Sequence, residues 1–173
     1  MSHDKHTFQH DLWEIIKDIK FAMLSHRHPN GRLHAHPLTT QNRSLKPGEP
    51  LAFFVSRKTE LGQRLRADGN VCVTYGDLKG DRWVSISGIA SISEDMERKK
   101  ALFNALAKAW FPGGVEDPDL ELVLVNILDA EFWDVKESKT TQLLKMATAA
   151  VTGNKPELGE HREMHANKAE TIN

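Results

Sequence analysis

A single cysteine, Cys72, in 173 residues leaves no partner for an internal disulfide and too few thiolates for a cysteine-based zinc site. Its place in the apolar run Val71-Cys72-Val73 marks a packing residue and not a nucleophile. An excess of one charge is also missing: 23 Lys plus Arg stand against 24 Asp plus Glu, for a net charge of −1. Such a chain has no field to gather nucleic acid or an anionic membrane, so any anion site must be local. No run approaches the roughly 18 successive apolar residues of a membrane span, and Met1 to His10 are polar and His-rich with no apolar leader core. A cytoplasmic protein is expected, with neither nucleic acid nor membrane as partner. A nucleophile elbow, a glycine-rich nucleotide loop and a carboxylate pair singled out by spacing are absent as well.

What remains is an ordinary globular composition, 39% hydrophobic and 27% charged, at a length that suits one domain. We divide the chain into a domain over residues 1–151 and a polar, aperiodic tail over 152–173, expected to be loose. Phe8, Leu12, Ile15, Ile16 and Ile19 follow helical spacing, and the strand-like Phe21 to Leu24 comes next. Pro29-Asn30-Gly31 predicts a hairpin turn into a second strand, Leu33 to Gln41. A third strand over Leu51 to Val55 precedes a short helix over Lys58 to Asp68 and a strand over Val71 to Tyr75. Trp83 to Ser93 is the clearest strand: Val84, Ile86, Gly88, Ala90 and Ile92 alternate with a mostly hydroxyl-bearing face.

Beyond it, Ser93 is a plausible N-cap for one helix carrying the stripe Leu102, Phe103, Leu106, Ala107 and Trp110, ended by Pro112-Gly113-Gly114. Asp117-Pro118 suits the start of a short helical turn. Leu122 to Ile127 and Ala130 to Val135 read as two strands joined through Leu128-Asp129, and Ser138 as the cap of a last helix reaching Val151. Six or seven short strands joined mainly by hairpins, with helices appended and not alternating, predict an α+β fold on an antiparallel barrel.

Chemistry has few places to reside. Ser56-Arg57-Lys58 ends an aromatic strand at a helix entrance, where hydroxyl, guanidinium, ammonium and helix dipole together suit a phosphate. On these residues alone a solvated cation pair at a strand end is the favoured reading. His36, Thr39 and Gln41 lie on a strand whose polar residues are hydrogen-bonding groups, and Pro37 implies a strand edge or bulge. Four histidines, His26, His28, His34 and His36, gather near one hairpin, but no carboxylate lies near them at ligand spacing along the chain, so no metal site is expected. His161 and His165 in the tail are not in a zinc-protease order. Trp110 and Phe111, before a flexible turn, suit either a lid on a planar ligand or core packing.

Phe21-Ala22-Met23-Leu24, Gly31-Arg32-Leu33-His34, Phe53-Phe54 with Ser56-Arg57, Val84-Ser85-Ile86-Ser87-Gly88, the segment from Lys108 to Leu120, and Phe132-Trp133-Asp134 run in order along the chain. Together they resemble the pyridoxamine-phosphate-oxidase-like split-barrel flavoproteins, in their general-stress-protein branch. The resemblance implies a split β-barrel homodimer that binds FMN, or FAD, at sites shared by both chains. It places His36, Pro37, Leu38 and Thr39 along the pyrimidine edge of the flavin, Phe54 and Val55 as lining, and Ser56, Arg57 and Lys58 on the phosphate. Trp83 and Trp110 would approach the flavin from the same chain or its partner. The family often has Arg where this chain has His36, and Lys where it has Leu61. The C-terminal substrate-binding signature of the vitamin-forming oxidase is not recognised here. A flavin-dependent oxidoreductase linked to stress is therefore expected, against a non-catalytic flavin sensor or carrier, or a barrel that has lost its cofactor.

Overall fold

The computed structural model describes residues 3–19, 21–134, 146 and 160–165. The apolar stripe near the N-terminus forms α1 (His3–Ile16), which buries Leu12, Ile15 and Ile16. The hairpin expected at Pro29-Asn30-Gly31 joins β1 (Phe21–Arg27) to β2 (Leu33–Thr39), with Gly31 at φ +82°, a conformation that costs glycine little. β1 and β2 pair antiparallel from Phe21–Thr39 to Arg27–Leu33.

β3 (Leu51–Ser56), α2 (Glu60–Ala67), β4 (Asn70–Asp77) and β5 (Arg82–Ser93) follow close to the predicted positions. In β5 the predicted alternation is realised: Val84, Ile86, Gly88 and Ala90 are buried while Trp83, Ser87, Ile89 and Ser91 face out. The strands run in the order β2-β1-β4-β5-β6-β3, all pairs antiparallel, where β6 is Leu120–Asp134. A bridge between Thr40 and Phe53 brings β3 back to the end of β2, and the Gln41 N–H donates to the Ala52 carbonyl at 2.8 Å. This narrow seam closes a split barrel around Leu24, Phe53, Ile86 and Val123, all fully buried.

Three elements differ from expectation. The segment read as two strands is one, because Leu128 is the extra residue of a bulge: Ser87 faces Asp129 while Gly88 faces Ile127. Gly88 is needed there, since a Cβ would lie 2.6 Å from the Asn126 carbonyl oxygen. The single helix after Ser93 is two, α3 (Met96–Leu102) and α4 (Ala105–Trp110). Asp95 and not Ser93 caps α3, and the Asn104 side chain accepts from Leu106 N and Ala107 N, starting a new helix where the stripe suggested continuity. The short turn is a 3-10 helix at Gly114–Glu116, ahead of Asp117-Pro118 and not begun by it.

Within the segment read as a loose tail, Glu160–His165 forms β7 and pairs antiparallel with the C-terminal half of β6. The helix expected from Ser138 to Val151 lies outside the described residues apart from Met146, which is helical. No helix is long and apolar enough to cross a membrane, as judged on the described residues.

Candidate functional site

A cleft of about 380 Å³ opens where β2 and β3 diverge beyond the seam, with α4 over its mouth. β2 supplies His36, Pro37, Leu38 and Thr39; β3 supplies Phe54, Val55 and Ser56; α4 supplies Leu106, Ala107 and Trp110. Its walls are chiefly apolar, with hydroxyl groups of Ser56 and Thr59 at one end, which is the character of a small-molecule site. Eight of the eleven residues expected at a cofactor thus share one cavity. Trp110 is 78% exposed, so it is no core residue, whereas Ala107 and Phe111 beside it are buried. Gln41 also lines the cleft, where its Oε1 accepts from Asn104 Nδ2 at 2.7 Å and ties the start of α4 to the seam. Leu61 of α2 is buried and forms part of the same wall.

Arg57, Lys58 and Trp83 do not line the cleft. The Arg57 Nε–H donates to Glu121 Oε1 at 2.9 Å, and Arg66 of α2 forms an ion pair with the same oxygen. Glu121 is almost fully buried, while both guanidiniums reach solvent. The Ser56 hydroxyl donates to Asp119 Oδ2 at 2.6 Å, and the Lys58 N–H donates to Asp119 Oδ1 at 3.1 Å. That hydroxyl contact, more than the nearby cations, holds the Asp119 carboxyl below its usual range. Two guanidiniums therefore share the one buried Glu121 carboxylate, leaving one positive charge in surplus beside the Ser56-Arg57-Lys58 step.

Asp119, Glu121 and Arg66 were not singled out from the sequence. The first two stand more than 60 residues from Ser56 and arrive by register, Ser56 opposite Leu120 and Val55 opposite Glu121. The usable signal was Glu121 itself, a lone acid in the apolar run Leu120 to Val125. Thr59, also overlooked, caps α2 by accepting from Gly62 N. Gly62 packs so closely under the step that a Cβ would lie 3.2 Å from Arg57 Cα and closer still to the Ser56 carbonyl oxygen.

Trp83 lies on the outward face of the sheet opposite Trp133, in a shallow depression shared with Phe21 and Met23. Phe21 belongs to both the depression and the cleft. On the other flank the four hairpin histidines converge. His26 Nε2 lies 3.1 Å from His36 Nε2, and His34 Nδ1 lies 2.9 Å from Glu60 Oε1. The carboxylate absent along the chain is thus supplied by α2. Burial pushes the His26 imidazole below its usual range.

The sequence profile of the family described as pyridoxamine 5'-phosphate oxidase like matches residues 8–157. Among solved structures, the general stress FMN/FAD binding protein of Xanthomonas citri superposes with a TM-score of 0.65 at 29% identity, over 77% of this chain and 92% of that one. General stress protein 26 of Bacillus anthracis superposes with a TM-score of 0.60 at 22% identity, over 75% of this chain and 91% of that one, a likeness of fold. Protein bli-3 of Neurospora crassa is 22% identical over 162 residues, 89% of this chain and 78% of its own length.

Proposed function

Because the chain belongs to the pyridoxamine 5'-phosphate oxidase-like family, we propose that it binds flavin mononucleotide in the cleft between β2, β3 and α4. The observation that carries this reading is the convergence of three sequence-distant segments on one apolar cavity with a polar end. A flat ring suits walls made by Pro37, Leu38, Phe54 and Val55, and Trp110 overhangs the opening. The polar end suits a terminal phosphate, through the Ser56 and Thr59 hydroxyls and the surplus guanidinium charge. The Xanthomonas citri relative, an FMN/FAD binding protein by its description, supports a flavin as the ligand.

The protein's own groups would bind and orient the ligand, with the His36 imidazole at the cleft wall as its titratable member. When bound, the flavin would supply reversible electron transfer, making an oxidoreductase role the extension of this reading. A second copy of the chain would cover the outward depression at Phe21, Met23 and Trp83 and border the cleft through Phe21, which favours a homodimer. Sedimentation of the purified protein at the dimer mass is the expected outcome.

Asp119 favours a second reading. Its carboxylate already occupies the Ser56 hydroxyl and the Lys58 N–H, donors that a phosphate would use, as expected of a barrel that has lost its cofactor. An absorption spectrum of the purified protein, followed by FMN titration, separates the two. Yellow protein releasing FMN on denaturation supports the first reading, and absence of FMN binding at micromolar concentration supports the second. With binding in hand, Arg57→Ala is expected to weaken it roughly 10- to 150-fold, the value of a charge-assisted contact. Unchanged affinity would remove Arg57 from the site.

A further inference from the structure

The histidine cluster serves no part of the flavin reading except through His36, which borders the cleft. β1 and β2 place His26 opposite His34, and α2 enters beside them with Glu60 in its first turn. One ligand atom each from His26, His34 and Glu60 lies within 4.8 Å of the others. Glu60 Oε1 is 2.9 Å from His34 Nδ1, 3.7 Å from His28 Nε2 and 4.0 Å from His26 Nε2. Donor atoms around a tetrahedral zinc, with metal–nitrogen bonds of about 2.0–2.1 Å, stand about 3.3 Å apart, so these separations bracket those of a coordination shell.

The rings are also organised in pairs, His26 against His36 at 5.2 Å between centroids and His28 against His34 at 4.7 Å, both nearly parallel. A solvated hairpin has no reason to draw three imidazoles within 4.0 Å of one carboxylate oxygen. His26, moreover, is only 2% exposed, with Nε2 turned toward the other rings and not toward water. We propose that His26, His34 and Glu60 form a binding site for a divalent first-row transition cation, with His28 and His36 flanking the open fourth position. Two imidazoles and one carboxylate suit a zinc-class ion and not calcium or magnesium, which take oxygen ligands.

The site makes no use of bound flavin, so it stands or fails separately from the cleft. The test is calorimetric titration of chelator-treated full-length protein with Zn²⁺, and of the same protein with Co²⁺ followed by its visible spectrum. One Zn²⁺ per chain is expected, with intense tetrahedral-type Co²⁺ bands. His34→Ala and Glu60→Gln, both at partly exposed side chains, should each weaken Zn²⁺ binding by about tenfold or more and abolish those bands. Thermal melting and FMN titration of the same variants check that the fold and the cleft are intact. Absence of Zn²⁺ binding at micromolar concentration in the parent protein would overturn the proposal. So would Zn²⁺ affinity unchanged from the parent in both variants, since the chain's other histidines would then be the ligands.

Discussion

The two ends of the cleft are built differently. The wide end presents apolar side chains backed by the core: Trp110 stands in solvent, Phe54 meets Phe103 edge-on at 6.0 Å, and Val55 and Leu61 behind them are buried. The narrow end at Ser56-Arg57-Lys58 is already satisfied, with Asp119 on the hydroxyl and the N–H and Glu121 on the guanidiniums. One end offers surface to a ligand, while the other must exchange existing contacts for new ones. Ring and phosphate should therefore respond to different substitutions.

The largest expected effect breaks the narrow end outright. Gly62→Ala pushes a methyl group into the Ser56 backbone, so it should lower stability by about 1–3 kcal/mol, read by denaturant unfolding. It should also weaken FMN more than Arg57→Ala does, because Ser56 and Thr59 move together. Asp119→Asn comes next and sharpens the contrast: removing one negative charge should tighten FMN by about tenfold in a fluorescence titration. Weaker binding instead would make Asp119 a partner of the ligand and not its competitor.

Asp119 also carries a pH signature. Its folded carboxyl titrates below its usual value, so its stabilising contacts are complete above about pH 4 and are lost as pH falls through the lowered value. The stability difference between parent and Asp119→Asn should be flat at neutral pH and shrink in acid. The smallest effect belongs to the wide end. Trp110→Ala should leave the melting temperature almost unchanged and weaken FMN by about three- to tenfold, the worth of one aromatic contact.

The wide end was legible in the sequence; of the narrow end the Ser56-Arg57-Lys58 step was legible and the acids that meet it were not. Apolar periodicity and hairpin chemistry located β2, β3 and β5, and the family resemblance then marked on them the residues from His36 to Thr39 and from Phe54 to Ser56. Strand periodicity says nothing about which acid lands beside which cation, and Asp119 and Glu121 come from the far partner strand of β3. The same blindness hid Glu60 from the histidines, because β1, β2 and α2 meet only in the folded chain. The errors in α3, α4 and β6 are local: the cap at Asn104 and the bulge at Leu128 each interrupt a pattern with one residue.

The seam has a consequence for recognition. Beyond Thr40–Phe53 the facing edges of β2 and β3 have no strand between them among the described residues, while on the closed side of the seam Asn42 extends the closure by accepting from Ala52 N and donating to the Pro50 carbonyl. Carbonyl and amide groups along those edges can recognise the rim of a ring whatever side chains adorn them. Recognition written in main chain is indifferent to spelling, so a ring held there would keep those contacts whichever side chain stands at position 36.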